Sequence, residues 1–563
     1  MDIFVDKISE FISQTINLDK NEVSKLIEVP PESKFGDYSF PCFTLSSKLK
    51  KNPLDISQEI KNKINPILFE KIDLKGPYVN FFLDKDFVAK TVINNIKNQK
   101  FGHSNIGKGK TIVVDMSSPN IAKPFGIGHL RSTIIGNSLR HCFTSQGYKV
   151  IRINHLGDWG TQFGKLIIAF KKWGNTNALK KDPIKYMYKL YIKYHQYAEK
   201  HTEIDSEARL WFKKLEDGDK QAISIWKNFK ELSLNDFQKI YDLLGVEFES
   251  YSGEAFYNNK MGIIIKGLKV KNLLIKSEGA TIVDLSNFNL PPALIQKSDE
   301  ATLYITRDLA AAIYRYDKYK FDKMIYEVGA EQKLHFQQLF KVLELMGCQW
   351  FKDCFHIYHG LYLDQDKKKL ATRKGKTIFM EDILEESINK AKKIINKKNP
   401  NLKNKDLVAK DIGVGAIIFG DLSNDRTNDI ILNINKFLSF DGETGPYIQY
   451  THARACSILR KYKSNFDFNI KTSLLKEDLE KSLLLLISKY SQVIEKTINS
   501  FKPNILARYL LDLSQLFNEY YHKFKIIQDD KELEKSRIAI VYSIIIVLSD
   551  GLSLLGINSP KEM

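Results

Sequence analysis

The stretch that decides the fold is residues 111–153, TIVVDMSSPNIAKPFGIGHLRSTIIGNSLRHCFTSQGYKVIRI. It opens on the apolar run Thr111-Ile112-Val113-Val114 and breaks into a loop over 117–128 that carries Gly126 and Gly128. Leu130, Ile134, Ile135, Leu139 and Phe143 then recur at helical spacing, and Val150-Ile151-Arg152-Ile153 closes the stretch. Two apolar runs joined through a helix predict parallel strands, because a parallel pair needs such a crossover. The expected fold class is therefore α/β, with a Rossmann-type core. The loop is also an anion site in prospect. Its two glycines let backbone approach a ligand closely, and the helix starting near His129 aims unbonded N–H groups and a positive dipole end into it. Lys123 and His129 add donors that can follow charge developing on a phosphate.

Outward from this stretch the texture changes on both sides. Residues before about 105 alternate helix-like and strand-like segments, including FGDYSFPCF at 35–43 and the run Gly76 to Leu83, and predict a small separate α+β unit. A turn-rich basic link, 102–110, joins it to the core. Residues from about 174 are charged and helical and read as an insertion. Strand signals return at Thr281-Ile282-Val283, Leu303-Tyr304-Ile305, Lys323 to Tyr326 and Phe355 to Tyr358. Beyond about 380 nearly everything has helical periodicity, ending in an all-helical bundle. The expected division is 1–108, then 109–380 with a helical insertion at about 174–250, a helical connection 381–440, and a bundle 441–563.

Composition narrows the class without naming it. At 563 residues, 43% hydrophobic and 12% aromatic, the chain is too long for one core and too apolar for disorder. Lys+Arg 85 against Asp+Glu 67 gives +18, which suits a polyanionic partner such as nucleic acid. Only 12 of those 85 are Arg, however, and a lysine-coated surface explains much of the charge. Five scattered cysteines with no CxxC spacing argue against disulfides and thiolate zinc and for a cytoplasmic protein. The acidic N-terminus does not read as a signal peptide. The most apolar segment, Ile538 to Leu548, stops at Ser549-Asp550-Gly551, short of the ~20 residues a span needs, and is expected to be a buried helix with no membrane partner. His356 and His359, three apart in a strand-like run, should point to opposite faces, so no metal site is expected there.

The string Ser117-Ser118-Pro119-Asn120-Ile121-Ala122-Lys123-Pro124-Phe125-Gly126-Ile127-Gly128-His129-Leu130-Arg131 resembles the HIGH-motif region of class I aminoacyl-tRNA synthetases, specifically the arginyl-tRNA synthetases. The resemblance continues at Asn154 to Gly164, Tyr304 to Ala311, Ile325 to His335 and Gly445 to Arg454, in the family's order and over most of the chain. It implies a class I synthetase catalytic core with an N-terminal α+β add-on and a C-terminal helical anticodon-binding bundle. The implied reaction joins L-arginine to ATP, giving arginyl-AMP and pyrophosphate, and passes arginine to the 3′-terminal adenosine of tRNA-Arg. ATP with Mg²⁺ would enter as a substrate complex, no zinc is needed, and a monomer is expected.

The same resemblance implies residue roles. Pro119, Gly126, Ile127, Gly128 and His129 would lie along ATP, with Arg373 beside it; Lys123 and His129 would act on the phosphates. Two departures matter: the signature's first histidine is Gly126, and a KMSKS loop is replaced by Leu370 to Thr377, whose Lys374 and Lys376 are candidates for its role. Asp115, Tyr304 and Asp308 would surround the guanidinium, and Ser118, Asn120 and Gln332 would hold the α-amino and carboxylate groups. An arginine pocket needs such carboxylates, because a planar fork of donors is matched by paired charge-assisted hydrogen bonds. Taken singly, Tyr304 also reads as a strand residue and Asp308 as a helix cap. His155, Asp158 and Trp159 are expected to shape the same cavity. Phe35, Tyr78 and Asn80, and on the bundle Tyr447, Gln449, Tyr450 and Arg454, are candidate tRNA contacts through stacking and edge hydrogen bonds. Two competing readings are an adenylate-forming ligase with a non-tRNA acceptor, which would not need the two flanking domains, and a catalytically silent RNA-binding paralogue, which would not need Lys123, His129, Asp308 and Gln332.

Overall fold

The computed structural model describes residues 2–64, 66–97, 100–297, 304–368, 370, 379–462 and 466–563. Arg373, Lys374 and Lys376 lie outside the described residues. In the N-terminal unit, β1 (Tyr38–Pro41), β2 (Phe69–Lys75) and β3 (Tyr78–Leu83) form an antiparallel sheet in the order β1-β3-β2, packed against helices Ile3–Ile16, Pro53–Lys63 and Lys85–Ile96. Gly36 is fixed by geometry: its φ is +98°, and a Cβ there would stand 2.8 Å from the Phe81 carbonyl oxygen. Asp37 pairs with Lys481 of the bundle at 2.7 Å, and Thr472 Oγ1 donates to Asp86 at 2.6 Å, so this unit sits directly on the bundle.

The core contains β4 (Thr111–Asp115), β5 (Lys149–Ile153), β6 (Ile275–Ser277), β7 (Ala280–Val283), β8 (Ala293–Gln296), β9 (Lys323–Tyr326) and β10 (Cys354–His356). Its parallel sheet has the order β10-β9-β4-β5. The chain leaves β4 toward β5 on one side and later returns to β9 on the other, so the strand order reverses at β4. The crevice beyond the strand ends at such a reversal is where open α/β sheets bind ligands. Apolar residues on both faces of β4, with Ile112, Val113 and Val114 all buried, are what a strand covered by helices on either side requires.

Thr281 to Val283 is a strand, as expected, in a separate antiparallel sheet, β6-β7-β8. One strand expectation needs correction. Tyr304 and Ile305 open the helix Tyr304–Tyr319 instead of forming a strand. A three-residue apolar run carries no period of its own, whereas the buried set Ile305, Leu309 and Ala312 does fit a helix face. The insertion is helical from Thr161–Trp173 through Lys220–Leu244.

The C-terminal bundle comprises Gly445–Lys461, Asp478–Ser488, Tyr490–Ser500, Pro503–Lys523 and Lys531–Leu554. The last runs 24 residues, long and apolar enough by length and composition to cross a membrane, yet 67% of its apolar window is buried among the other helices. It carries the helical periodicity through Ser549-Asp550-Gly551, and Asp550 has partners there: Tyr490 Oη at 2.5 Å and His103 Nε2 at 3.0 Å. Its Arg537 Nε donates to the fully buried Glu480 at 2.9 Å, and Tyr520 Oη donates to the same oxygen at 3.2 Å.

Candidate active site

The loop after β4 is a strained wall. Ser117, Ser118 and Ala122 all have positive φ, at 70°, 48° and 59°, a cost that persists only where surrounding contacts impose it. Those contacts come from three directions. Ser117 N–H donates to Ser132 Oγ (2.9 Å), whose hydroxyl donates to the Glu327 carbonyl (2.6 Å). Gly157 N–H donates to the Pro119 carbonyl (3.1 Å), and a Cβ on Gly157 would stand 2.1 Å from Asn120 Oδ1. The insertion helix Lys220–Leu244 supplies Ser233 Oγ as acceptor for Ala122 N–H (2.9 Å) and Tyr241 Oη against Ser117 Oγ (2.9 Å). Phe125 packs edge-on against Phe237 and Tyr241 of that helix. Nothing in the charged sequence of the insertion announced this buttressing role.

The wall leads into the signature helix, Ile127–Ser145. Gly126 N–H donates to His129 Nδ1 (3.2 Å), which places the ring proton of the neutral imidazole on Nε2. Burial, with His359 and Lys123 nearby, pushes the His129 pKa down to about 4, so the ring is neutral at pH 7. A Cβ at Gly126 or Gly128 would meet nothing within 4 Å, so both glycines border open space. Lys123 is half-buried, its Nζ 5.9 Å from the centre of the Tyr191 ring. Pro119 and Ile127 are buried and support the loop from within. Beyond the undescribed segment 371–378 the chain rejoins the same loop, with Met380 N–H donating to the Phe125 carbonyl at 3.1 Å.

At the ends of β4 and β9 lies a cavity of ≈ 380 Å³. Asp115, Ser118, Asn120, Tyr304, Asp308 and Gln332 all line it. Asp308 accepts from His335 Nε2 at 2.7 Å, with His155 Nε2 at 3.7 Å from its other oxygen. Burial alone would raise the Asp308 pKa, but the His335 hydrogen bond and charge, with His155 and Arg315, outweigh it and hold the carboxylate below its ordinary value. Asp115 is buried and engaged on both oxygens, by Arg315 Nη1 at 2.8 Å and Ser118 Oγ at 3.0 Å. Tyr304 stands at the rim, 64% exposed.

Four lining residues with polar side chains lay outside the sequence expectations as site residues: Glu254, Arg315, Tyr326 and His335. His335 and Tyr326 fall inside the quoted family blocks, and Arg315 follows Asp308 by two helical turns, so spacing could have found them. Glu254 follows the insertion and carries no such signal. Its pKa is pushed up to about 7, by burial first, with Arg307 opposing and Asp308 and Asp158 adding to the rise. Tyr326 Oη is buried and has no hydrogen-bond partner among the described residues.

Two expected cavity residues lie elsewhere. Asp158 is wholly buried and accepts from Lys230 Nζ (2.6 Å) and Ala255 N–H (2.8 Å). Trp159 packs on Trp226 and Phe212. Both dock the insertion; of the three, only His155 lines the cavity. His356 ends β10 with Nε2 3.1 Å from the Val328 carbonyl, while His359 lies past the strand with Nδ1 3.0 Å from buried Glu327, so each faces a partner along the chain after β9.

The chain matches the family model for the class I (R) tRNA synthetase catalytic domain over residues 91–434. It belongs to the class I arginyl-tRNA synthetase family. Models for the arginyl-tRNA synthetase N-terminal domain and the DALR anticodon-binding domain match residues 2–83 and 448–563. Arginine–tRNA ligase 1 of Bacillus thuringiensis subsp. konkukian is 48% identical, covering 100% of this chain and 99% of that one, and the Clostridioides difficile enzyme is 48% identical over 100% of both. Among solved structures, arginyl-tRNA synthetase from Plasmodium falciparum aligns with a TM-score of 0.81 at 25% identity over 100% of both chains. That of Thermus thermophilus gives 0.82 at 22% over 99% of both, which speaks for the fold.

The expected RNA contacts divide. Tyr450 and Tyr521 are 40% and 38% exposed, and the Arg454 guanidinium lies 4.9 and 5.1 Å from their ring centres. Tyr521 was not expected; it lies on another helix, Pro503–Lys523. Tyr447 is half-buried beside them, its hydroxyl accepting from Asn518 Nδ2 at 3.0 Å. Gln449 is a correction: it is fully buried, and its Nε2 donates to the carbonyls of Asp411 (3.0 Å) and Asn558 (2.8 Å), so it ties down the chain end instead of meeting RNA. Asn80 is a second correction, 5% exposed and accepting from Ser39 Oγ across the sheet at 2.7 Å. Phe35 is flanked by Lys75 and Lys34 at 3.8 and 4.9 Å from its ring centre, and Tyr78 packs edge-on against the exposed Phe43.

Proposed function

We propose that this chain activates L-arginine with ATP–Mg²⁺ and transfers it to the terminal adenosine of tRNA-Arg. The observation that carries the reading is the cavity itself: Asp308, bonded by His335 with His155 at 3.7 Å, and Glu254 face a space whose wall is the loop running into Gly126–His129. Carboxylates at that depth suit a permanently charged fork of donors, and an analogue lacking the fork would leave them unmatched.

In this reading the guanidinium sits on Asp308 and Glu254 under Tyr304, and Ser118, Asn120 and Gln332 hold the α-amino and carboxylate ends. The α-carboxylate attacks the α-phosphorus of ATP, pyrophosphate departs, and a ribose hydroxyl of the tRNA then displaces AMP from the arginyl carbonyl. The chain contributes orientation and charge compensation more than covalent chemistry. Neutral His129 offers Nε2–H to the phosphate, and Lys123 offers a cation that makes no ion pair among the described residues. The basic segment holding Arg373, Lys374 and Lys376 is proposed to act on the same phosphates. Tyr447, Tyr450, Arg454 and Tyr521 form a stacking surface for anticodon bases, and Phe35 and Tyr78 a basic-aromatic patch for a second part of the tRNA.

We read the chain as four units, 1–108, 109–380, 381–440 and 441–563, acting as a monomer without zinc in the reducing cytoplasm that five unpaired cysteines suit. Arginine-dependent ATP–pyrophosphate exchange in the presence of tRNA tests the reading. Exchange with arginine alone among amino acids is expected; exchange with another amino acid, or none, would sink it. Affinity for tRNA should fall steeply with salt, as multiple phosphate contacts require.

A further inference from the structure

The cavity proposed to take arginine is already lined by an arginine of the chain. Arg315, 1% exposed, places Nη1 2.8 Å from Asp115 Oδ2 and Nη2 3.1 Å from His155 Nδ1. Its guanidinium carbon lies 5.7 Å from the centre of the Tyr326 ring and 6.0 Å from that of Tyr257. A guanidinium on a carboxylate between aromatic rings is the kind of recognition expected for the substrate, completed in advance on one of three carboxylates that line the space.

We propose that Arg315 is a positioning and specificity residue: a built-in guanidinium that occupies Asp115 and so leaves Asp308 and Glu254 as the place for the substrate's fork. The inference rests on the cavity holding arginine. Three unoccupied carboxylates would offer a mobile guanidinium more than one seat, and only one seat sets the α-carboxylate against ATP. Arg315 removes the wrong seat. It also fixes His155. An arginine can only donate, so His155 Nδ1 must accept, and the proton of the neutral ring is left on Nε2, facing Asp308 at 3.7 Å. One side chain thereby sets both the number of seats and the orientation of the carboxylate in the remaining one.

The test is Arg315→Ala in the full-length chain, read by arginine-dependent pyrophosphate exchange with tRNA present and by equilibrium arginine binding. Arginine should still bind, now at either seat, while kcat falls by about 100-fold, as expected when the reacting carboxylate is misplaced against ATP. Millimolar guanidinium chloride should refill the place on Asp115 and restore activity by roughly tenfold, while the same salt inhibits the unmodified chain by competing at Asp308. A cooperatively melting variant that guanidinium does not rescue, or one with unchanged kcat and KM, overturns the proposal. Where the alanine variant does not fold, Arg315→Gln decides: it keeps a polar side chain but leaves Asp115 without a cation, so kcat should fall and guanidinium should restore part of it, and unchanged kinetics overturn the idea. If the unmodified chain fails to activate arginine at all, the reading of the cavity fails instead; if it does so and these variants miss, only the role of Arg315 falls.

Discussion

The cavity at the strand ends and the exposed face of the helical bundle answer the same question differently. In the cavity, residues spread from Asp115 to Gln332 converge because the ends of parallel strands and the helix starts beside them must meet at the point where strand order reverses. On the bundle, Gln449 and Tyr450 are neighbours on one helix, yet one is fully buried on two carbonyls and the other is 40% exposed beside Arg454. A step of one residue turns a helix face by about 100°. Motif identity places a residue in a crevice but does not say which way a surface helix is rolled.

Four experiments press on this contrast. The largest effect belongs to the cavity: Asp308→Ala should cut kcat/KM for arginine on the order of 10³-fold, by stranding a buried guanidinium without its carboxylate, with tRNA affinity nearly unchanged. Equal loss of both would mean misfolding and would erase the distinction between cavity and surface. Next is the bundle interior. Glu480→Ala leaves Arg537 buried and unpaired and should cost about 3–5 kcal/mol in a denaturant melt, while arginine KM in the surviving folded fraction stays put.

The neighbouring pair sharpens the contrast directly. Tyr450→Ala should weaken tRNA binding by about 1–3 kcal/mol, one stacked base, with little change in melting temperature. Gln449→Ala should do the reverse, costing about 1–3 kcal/mol of stability by orphaning two carbonyls while tRNA affinity holds. Exchanged outcomes would show the helix rolled the other way.

The smallest effect is a pH step. Burial pushes the Glu254 pKa up to about 7, and a bound guanidinium favours its charged form, so arginine affinity should rise as pH climbs through about 7 and binding below that pH should release a proton. The arginine KM should fall by at most about tenfold per pH unit below 7 and then level off. Glu254→Gln should flatten that step; a step that survives it belongs to another group.

Much of this was legible because short motifs carry their own geometry. The two glycines before His129 and the apolar runs on either side specify strand, loop and helix, and Asp115 and Asp308 sit where any such sheet binds ligands. The errors have a common cause. Tyr304 reads as a strand residue because a three-residue apolar run has no period, and Trp159 reads as a cavity residue because it adjoins His155 in sequence. Glu254 was missed because no spacing ties it to Asp308; only the packing of the segment after the insertion brings it there.

The sequence by itself determined the parallel core, the glycine loop that enters the signature helix and the family, since periodicity, glycine placement and motif order are local properties of the chain. Tertiary structure alone decided that the charged insertion braces the strained loop through Ser233 and Tyr241, that Gln449 is structural while Tyr521 completes the Tyr450–Arg454 face, and that Arg315 occupies Asp115. Each of these depends on which side chains meet across elements far apart in the chain. Burial and partnership, which fix a group's charge and availability, exist only once those elements have packed.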